Sequence, residues 1–534
     1  MNSRNSQRTL AARVPYRAVA AAVLVVAAAV GYASARADDT PGPAGQYQQH
    51  CASCHGADRL GGSGPALLPE NLARLRKDEA LDVIRGGRTA TQMPAFGSVL
   101  KADEIAALGA WIYSPVVPAP KWSEADIRAS RIQHVDPATL SAKPVFDADP
   151  MNLFVVVEGG DHHVSVLDGD RLEPIHRFPS RHALHGGPKF TQDGRYVFFG
   201  SRDGWVTKYD LWNLKVVAEV RAGINTRNVA VSPDGKHVAV ANYLPHTLVL
   251  LDGDLNLLKS IAVTDREGKI SSRVSAVYEA TPRNSFVAAL KDVPEVWEIS
   301  YDPTAEEIPT GYIHDYQYRE GAFVRGYLNP RRTELAEVLD DFFFTQDYST
   351  VLGASRDGVG QVVNLDVRRK IADLPLDGMP HLGSGITWDW QGRRVMASTN
   401  LKAAEVTVID MQDWSVVKRI PTRGPGFFLR SHENSRYAFV DSMMSREAKN
   451  VLQVIDKQTL EIVRELKTDP GKTLAHIEFT RDGRYALASL WEMDGAVIVY
   501  DAQTLEEVKR LPMKKPVGKY NVWNKITREE GTSH

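Results

Sequence analysis

Short runs of alternating apolar and polar residues recur through most of the chain, and Asp-Gly turns separate them. The clearest copies span residues 190–196, 231–237 and 479–485. In each copy a β-rich run follows the turn, and further runs follow that one, which is typical of a four-stranded antiparallel blade. Five weaker copies begin near Phe146, Thr281, Phe344, Trp388 and His432. The pattern therefore predicts eight blades.

Eight repeats over about 390 residues match the period of roughly 40–50 residues that propeller blades show. We expect an all-β eight-bladed propeller over residues 146–534, because closure of the ring leaves only short, protected sheet edges. An open stack of the same sheets is the alternative, and it would need capping repeats that are not visible in the sequence. The segment 518–524 is expected to close the ring or to cover one face.

The region before the repeats has a helical pattern instead. From Lys101 to Ile112 the apolar residues recur near helical spacing, which predicts an amphipathic helix. A connector with several prolines follows over residues 116–145. We therefore expect a small all-α domain over residues 38–115, then a linker, then the propeller.

Composition and charge narrow the possible functions. The chain has 534 residues, of which 43% are hydrophobic and 24% are charged. These values are ordinary for a globular protein with at least two folded units. Lys and Arg number 64, and Asp and Glu number 66, so the sequence has no basic excess for a nucleic acid. We expect no nucleic-acid partner.

Residues 1–37 differ from the rest of the chain. They contain five arginines and no acidic residue, an apolar run over residues 18–30, and the small-residue site Ala35-Arg36-Ala37. This layout predicts a secretory signal that is cut before Asp38. A retained membrane anchor is less favoured, because the run is shorter than the ~20 residues that span a bilayer. We expect a soluble periplasmic protein with a net charge of −7 and no membrane partner.

The chain has two cysteines, and both lie in the motif Cys51-Ala-Ser-Cys54-His55. This spacing lets two thiolates bind one haem covalently while the histidine coordinates its iron. A redox pair does not need the adjacent histidine, and a zinc site would need further ligands nearby. No other histidine or cysteine occurs between Gly56 and Pro115. The motif therefore predicts covalent haem c with His55 as an iron ligand.

The sixth iron ligand is expected in the same segment. Met93 is its only methionine, and a thioether opposite an imidazole raises the reduction potential of an electron-transfer haem. A lone methionine is more often a core residue, and His50 is the competing ligand. Residues 38–115 resemble a class I cytochrome c domain. Such a carrier has no pocket for a substrate, so we expect the substrate site in the propeller.

Several propeller histidines fall in segments that open or follow a blade, which we expect to be loops at one end of the axis. A single histidine of this kind is more often structural, but several at one mouth favour a second iron cofactor. These histidines are His182, His185, His381, His432 and His476.

The whole mature chain resembles the family in which a c-type cytochrome is fused to an eight-bladed propeller that binds haem d1, as in cytochrome cd1 nitrite reductases and their biosynthetic relatives. Five motifs carry the resemblance: His185-Gly-Gly-Pro-Lys, Ser201-Arg-Asp-Gly, Tyr209-Asp-Leu-Trp212, Gly378-Met-Pro-His381 and Gly518-Lys-Tyr-Asn-Val.

The departures from the reductases favour a biosynthetic role. His381 matches one of the two distal histidines that deliver protons in the reductases, but residues 338–346, where the second is expected, contain none. Tyr520 stands where phenylalanine is usual in the reductases. The resemblance therefore implies an oxidoreductase that converts dihydro-haem d1 to haem d1, a propionate-to-acrylate desaturation. A nitrite reductase and a non-catalytic haem d1 carrier are the alternatives.

The resemblance also implies partners for the reaction. Electrons would leave one at a time through haem c to a soluble periplasmic electron acceptor. The product would pass to the nitrite reductase.

Candidate residues follow from the same resemblance. His381 is expected to be the base, with a core or supporting histidine as the alternative. Tyr520 would orient the substrate or donate a proton to it, with a packing aromatic as the alternative. His476 is the first candidate for the haem d1 iron, with His185 close behind. Arg202 and Arg227 match carboxylate-binding arginines, although each could equally be a surface ion-pair partner.

Overall fold

The computed structural model describes residues 41–61, 64–72, 75–87, 93–315, 320–355 and 357–527. The predicted signal peptide, residues 1–37, lies outside these ranges. No helix in the described ranges is long and apolar enough to cross a membrane.

Of the seven α-helices in the described ranges, six precede the propeller. Helix α5 begins where the Glu104 carboxylate accepts a hydrogen bond from the Lys101 N–H at 2.7 Å, and its apolar side packs on α1 and α4. The helices are α1 (Pro43–His50), α2 (Ala52–His55), α3 (Pro69–Leu72), α4 (Lys77–Gly86), α5 (Ala102–Ile112), α6 (Glu124–Ser130) and α7 (Val522–Thr527).

The first half of the strands forms blades 1 to 4, together with one short strand that precedes them. That short strand is β1 (Ile132–Gln133). Blade 1 contains β2 (Leu153–Glu158), β3 (His163–Asp168) and β4 (Glu173–Pro179). Blade 2 contains β5 (Lys189–Phe190), β6 (Tyr196–Gly200), β7 (Trp205–Asp210) and β8 (Lys215–Arg221). Blade 3 contains β9 (Asn225–Val231), β10 (His237–Leu244), β11 (Thr247–Asp252) and β12 (Leu257–Ala262). Blade 4 and its hairpin contain β13 (Val274–Ala280), β14 (Ser285–Leu290), β15 (Glu295–Ser300), β16 (Ile308–Asp315), β17 (Glu320–Val324) and β18 (Pro330–Glu334).

The second half forms blades 5 to 8 and the closing strand. Blade 5 contains β19 (Asp341–Phe344), β20 (Thr350–Ala354), β21 (Gly360–Asn364) and β22 (Arg369–Leu374). Blade 6 contains β23 (Pro380–Trp390), β24 (Arg393–Asn400), β25 (Glu405–Asp410) and β26 (Val416–Pro421). Blade 7 contains β27 (Leu429–Arg430), β28 (Tyr437–Asp441), β29 (Val451–Asp456) and β30 (Glu461–Lys467). Blade 8 contains β31 (Leu474–Phe479), β32 (Tyr485–Leu490), β33 (Gly495–Asp501) and β34 (Glu507–Met513), and the closing strand is β35 (Pro516–Asn521).

Within each blade the strands run antiparallel from an inner strand to an outer one. The inner strands contact those of neighbouring blades, as β27 does with β23 and β31, whereas the outer strands expose alternate residues. Strand β35 is the inner strand of blade 1, because it pairs with β2. The C-terminal strand therefore closes the ring, and the expected eight-bladed propeller is confirmed.

The connector before the propeller is packed onto it. Strand β1 pairs with β8 at the outer edge of blade 2, and Ile127 of α6 is buried in the apolar core between blades 2 and 3. The segment predicted as a linker thus contains a helix and a strand.

The helical domain rests on blades 2 and 3. The guanidinium of Arg221 donates to the backbone carbonyls of Leu60 and Asp203. The Asn71 amide donates to the Ile224 carbonyl at 3.3 Å. These contacts fix the loop that follows the CxxCH helix against the propeller.

Candidate functional site

A cavity of about 780 Å³ lies where the inner strands converge. Its volume is in the range of sites that enclose a sizeable organic ligand. Each blade contributes at least one polar side chain from its inner strand. In ring order from blade 1 these are Tyr520, Lys189, Arg227, Tyr278, Asp341, His381, Arg430 and His476. Blade 6 also contributes Ser384. The ring closure therefore gathers residues that lie far apart in sequence.

His185 enters the cavity from the segment before β5. Its Nδ1 lies 2.7 Å from the Arg227 carbonyl oxygen, so Nδ1 carries the proton. Its Nε2 accepts hydrogen bonds from Arg202 at 2.7 Å and from Arg227 at 3.1 Å. The Arg227 guanidinium also donates to the Ser275 carbonyl at 3.0 Å. Both arginines predicted to bind carboxylates thus have partners already, and Arg202 is not among the cavity-lining residues.

His381 lies on β23 of blade 6, which is opposite blade 2 in the ring of eight. Its Nδ1 donates to the Phe427 carbonyl at 2.8 Å, and the two rings are in contact with centroids 4.0 Å apart. No side chain or backbone group in the described ranges hydrogen-bonds its Nε2. Burial lowers the pKa of His381, so the imidazole is neutral at pH 7.

His476 lies at a β-bulge in β31, where the register with β32 shifts. Its φ of +50° is in the left-handed region, which an L-residue adopts at a cost that the surroundings must offset. The bulge re-aims the side chain towards the axis. The ammonium of Lys519, on β35, donates to the His476 carbonyl and to the Ser489 hydroxyl. The closing strand therefore holds the bulge in place.

The ring of His476 lies among aromatic side chains. Phe428 is 4.6 Å away and Tyr520 is 5.1 Å away, measured between ring centroids. Its Nδ1 has no hydrogen-bond partner in the described part of the chain. Burial, and then the charge of Lys519, hold the pKa of His476 well below its ordinary value. Burial raises the pKa of Tyr520 to about 12. A neutral imidazole and a neutral phenol therefore stand side by side.

Sequence reasoning missed four residues of this ring, which are Lys189, Tyr278, Asp341 and Arg430. The side chain of Arg430 lies on β27, the residue is only 4% exposed, and its Nε and Nη1 have no acceptor among the described residues. Burial lowers its pKa. The one available signal was its position two residues before His432, inside a motif that attracted attention for the histidine alone.

The acidic groups of the cavity are on blade 5. The Asp341 carboxylate accepts a hydrogen bond from the Tyr278 hydroxyl at 2.7 Å. The neighbouring Asp340 forms an ion pair with Lys291. The cavity therefore has carboxylates near blade 5 and guanidinium groups on blades 3 and 7. The ammonium groups of Lys189, Lys402 and Lys525 also belong to its lining.

The helical domain contains a second site. Cys51 and Cys54 are not joined in a disulfide. The Nδ1 of His55 donates to the Pro65 carbonyl at 2.8 Å, which leaves the Nε2 lone pair for a metal. The ring lies so close to Gly64 that a Cβ there would be 2.8 Å from it. The three residues fit a haem attached through both thiols, with His55 as an axial ligand.

The two candidates for the opposite axial position lie near the same apolar cluster. Met93 packs against the cluster that contains Cys51 and Leu108. The ring of His50 is 5.8 Å from that of Phe96. Within the described ranges no group of three or more His, Cys, Asp or Glu side chains could hold a bare metal ion.

Comparison with known families assigns both parts of the chain. Residues 148–525 match the family described as the cytochrome D1 heme domain. The chain belongs to the cytochrome d1 haem domain family. Residues 38–112 match the cytochrome c domain family described as cytochrome C oxidase, cbb3-type, subunit III. The propeller is therefore a haem d1 domain, and a cytochrome c domain precedes it.

Individual relatives are similar over nearly the whole chain. A dihydro-heme d1 dehydrogenase of Pseudomonas aeruginosa is 56% identical, over 94% of this chain and 97% of the relative. A nitrite reductase of Stutzerimonas stutzeri is 25% identical, over 90% of this chain and 91% of the relative. A solved structure of dihydro-heme d1 dehydrogenase NirN in complex with DHE superposes with a TM-score of 0.83 and 55% identity, covering 90% of this chain and 99% of that one.

The haem d1 domain brings together most of the residues singled out from sequence. His185, Arg227, His381, His476 and Tyr520 all line the cavity, and Arg202 bonds to His185. The expectation that these histidines are in loops is wrong for His381 and His476, because both lie in inner strands.

Two other histidines of the haem d1 domain are not in the cavity lining. His432 is fully buried against Gly483 in blade 7. The ring of His182 packs on that of His162 with centroids 4.4 Å apart. A structural role fits both of them.

Proposed function

We propose that the chain oxidises dihydro-haem d1 to haem d1 by converting the CH2–CH2 unit of one propionate side chain into the CH=CH unit of an acrylate. One observation carries the proposal: His185 and His381 enter one large cavity from opposite blades, and a neutral imidazole–phenol pair stands between them in the ring. The 56% identical relative that bears the name of this activity supports it.

The hydrogen bonds of the histidine rings favour one assignment of the substrate's iron ligands. A metal-binding histidine almost always donates its other ring N–H to a carbonyl or carboxylate. His185 and His381 both do so, whereas Nδ1 of His476 has no such partner. We therefore assign His185 and His381 to the iron. This exchanges the roles that the sequence suggested for His381 and His476, and both assignments remain predictions that variants can separate.

Arg202 takes a double role in this scheme. It donates to Nε2 of His185, the atom that binds iron in the proposal. Coordination of His185 would replace this hydrogen bond. The guanidinium next to His185 would then bind one of the carboxylates of the tetrapyrrole, because its planar set of N–H donors matches a carboxylate.

Proton removal falls to His476 and Tyr520. The desaturation breaks two C–H bonds, forms one carbon–carbon π bond and releases two protons and two electrons. A neutral imidazole has the lone pair that a base needs, and the pKa of His476 keeps it neutral at pH 7. The phenol of Tyr520 is protonated at the same pH, so it orients the side chain and relays the first proton to His476. The second proton is released to solvent as the second electron leaves the substrate.

Cys51, Cys54 and His55 would hold the haem c, with Met93 as the proposed sixth ligand. When bound, haem c supplies a one-electron outlet for the reaction. The proposed acceptor is a soluble periplasmic redox protein, and the proposed recipient of the product is the nitrite reductase.

The test is a direct one. Purified protein carrying oxidised haem c is mixed anaerobically with dihydro-haem d1 at two protein molecules per substrate molecule, because each haem c accepts one of the two electrons. The absorption bands of the tetrapyrrole and of haem c are followed together. We expect the tetrapyrrole spectrum to change to that of haem d1 while the haem c bands become those of the reduced form. Binding without either change would identify a carrier instead. Fast turnover of nitrite with a reduced donor would identify a reductase.

A further inference from the structure

Arg430 is a buried cation whose hydrogen-bonding capacity is unused. Its Nε and Nη1 have no acceptor among the described residues, although the residue is only 4% exposed. The buried carboxylate of Glu478 offsets part of the cost of burying this cation, but it does not accept a hydrogen bond from Nε or Nη1. Buried donors without acceptors are costly, and they persist in a protein when something other than stability requires them. The cavity therefore holds a site that is suited to an anion.

The other guanidinium of the cavity wall is not equivalent. Arg227 donates to the Ser275 carbonyl and to His185, so part of its capacity is used inside the protein. The carboxylates of Asp340 and Asp341 are on blade 5, two blades from Arg430. Lys189, Lys402 and Lys525 also line the cavity. An anionic group that enters is repelled by the carboxylates of blade 5. Arg430 offers it a guanidinium with two N–H groups that have no acceptor among the described residues.

The position of Arg430 indicates which anion it takes. Arg430, His476 and Tyr520 occupy the inner strands of three consecutive blades, 7, 8 and 1. The charge of Arg430 adds to the effects of burial and of Lys519 that lower the pKa of His476, and it opposes the rise that burial causes in the pKa of Tyr520, which reflects their proximity. A carboxylate bound to Arg430 would hold the carbon atoms attached to it beside the imidazole and the phenol.

We infer that Arg430 binds the carboxylate of the one side chain that is oxidised, and thereby selects which propionate reacts. This inference rests on the proposed function. It also has a chemical consequence. Removing a proton from the carbon next to a carboxylate places a second negative charge on the same fragment, and a guanidinium paired with the carboxylate offsets that charge. The proton passes to the Tyr520–His476 pair, and Arg430 itself keeps all of its protons.

The first experiment measures binding in the full chain with its haem c. Dihydro-haem d1 and its fully methyl-esterified form are titrated anaerobically into wild type, Arg430→Met and Arg430→Lys, and the absorption change gives the affinity. We expect Arg430→Met to weaken binding of the acid form by about 10- to 100-fold, the usual range for a lost charged hydrogen bond. Esterification should weaken binding to wild type about tenfold more than binding to Arg430→Met. The affinity of Arg430→Lys for the acid form should lie between those of wild type and Arg430→Met.

The matched control is Arg436→Met. Arg436 is in the same blade, but its side chain is 64% exposed and pairs with Asp456. This variant should bind both forms of the tetrapyrrole as wild type does. Arg430→Met should keep a single cooperative thermal unfolding transition, because methionine fills a similar volume and removes two buried donors that have no acceptor among the described residues. That result shows that the variant is folded and that its weak binding is a local effect.

The second measurement is turnover at saturating dihydro-haem d1. We expect the rate constant of Arg430→Met at saturation to be at least tenfold lower than that of wild type. This decrease is separate from the loss of affinity, because the substrate saturates both proteins. Equal affinity of wild type and Arg430→Met for the acid form would overturn the inference, as would an unchanged difference between acid and ester. If wild type binds the substrate but does not oxidise it, the proposed function fails, and the titrations still decide whether Arg430 binds a carboxylate.

Discussion

The ring of His476 packs edge-on against the ring of Tyr520, with centroids 5.1 Å apart. His476 belongs to blade 8, and Tyr520 belongs to the strand that completes blade 1. The contact therefore exists only in the closed ring. The pair is buried enough that both groups are neutral at pH 7, which is the state required for the proton transfer proposed above.

Removing the phenol should slow the reaction without preventing binding. We expect Tyr520→Phe to oxidise dihydro-haem d1 about 100-fold more slowly than wild type, the usual contribution of a positioned acid or base. Its affinity should change by less than about threefold, because the ring remains and only the hydroxyl is lost. Anaerobic stopped-flow absorbance gives both values. Tyr437→Phe, in the outer part of blade 7, is the control, and equal rates for the two variants would contradict the role of Tyr520.

The two assignments of the histidines give different spectra. If His381 binds the substrate's iron, His381→Ala alters the absorption spectrum of bound dihydro-haem d1, because an axial ligand is lost. His476→Ala should leave that spectrum unchanged and slow oxidation about tenfold, since water in the cavity can replace the imidazole as the final proton acceptor. The opposite result, an altered spectrum only in His476→Ala, would restore the assignment suggested by sequence.

The sixth ligand of haem c is decided by two variants of the cytochrome c domain. We expect Met93→Ala to abolish the weak red absorption band that a methionine sulfur gives ferric haem c, and to lower the reduction potential. His50→Ala should keep the band and a potential close to that of wild type. Loss of the band in His50→Ala alone would show that His50 is the ligand.

Titration of Asp441 should make the free energy of unfolding depend on pH. Its carboxylate accepts the backbone N–H groups of Phe427 and Phe428 at 2.8 and 3.1 Å, beside His381 and His476. Burial raises its pKa from 3.8 to about 6. Between these values the folded protein binds a proton that the unfolded chain has lost. The contribution of Asp441 to the free energy of unfolding is therefore greatest at low pH and decreases as the pH rises through 6.

Denaturant unfolding of wild type and Asp441→Asn measures this contribution. The difference in unfolding free energy between wild type and the variant should fall by about 2 kcal/mol from about pH 4 to pH 7. A difference that does not change with pH would show that Asp441 does not titrate in this range.

The parts of the fold that follow from local chemistry could be predicted from the sequence. The Asp-Gly turns repeat because a hydroxyl before each one bonds the turn aspartate, as Thr191 does with Asp193 and Thr480 with Asp482. These local hydrogen bonds leave a pattern that can be counted along the chain. The haem attachment motif is equally local, which is why three residues sufficed to identify it.

The parts that depend on ring closure could not be predicted in the same way. Arg430 differs from Arg227 of the same cavity because its Nε and Nη1 have no acceptor among the described residues. This can be seen only in the folded ring, where blades 7, 8 and 1 come together. The side chain of His476 points towards the propeller axis because of a β-bulge. The ammonium of Lys519, on a strand that is distant in sequence, holds that bulge. The family resemblance supplied His185, Arg227 and Tyr520, but the hydrogen bonds that favour particular roles for them come from the tertiary structure.

The strand that seals the ring also bears Tyr520 and Lys519. Proteolytic clipping ahead of residue 516 would thus remove the ring's seal, the phenol and the anchor of the His476 bulge in a single event. A cleaved molecule would lose tetrapyrrole binding and catalysis together. The architecture therefore disfavours a cleavage product that still binds the iron tetrapyrrole but cannot oxidise it.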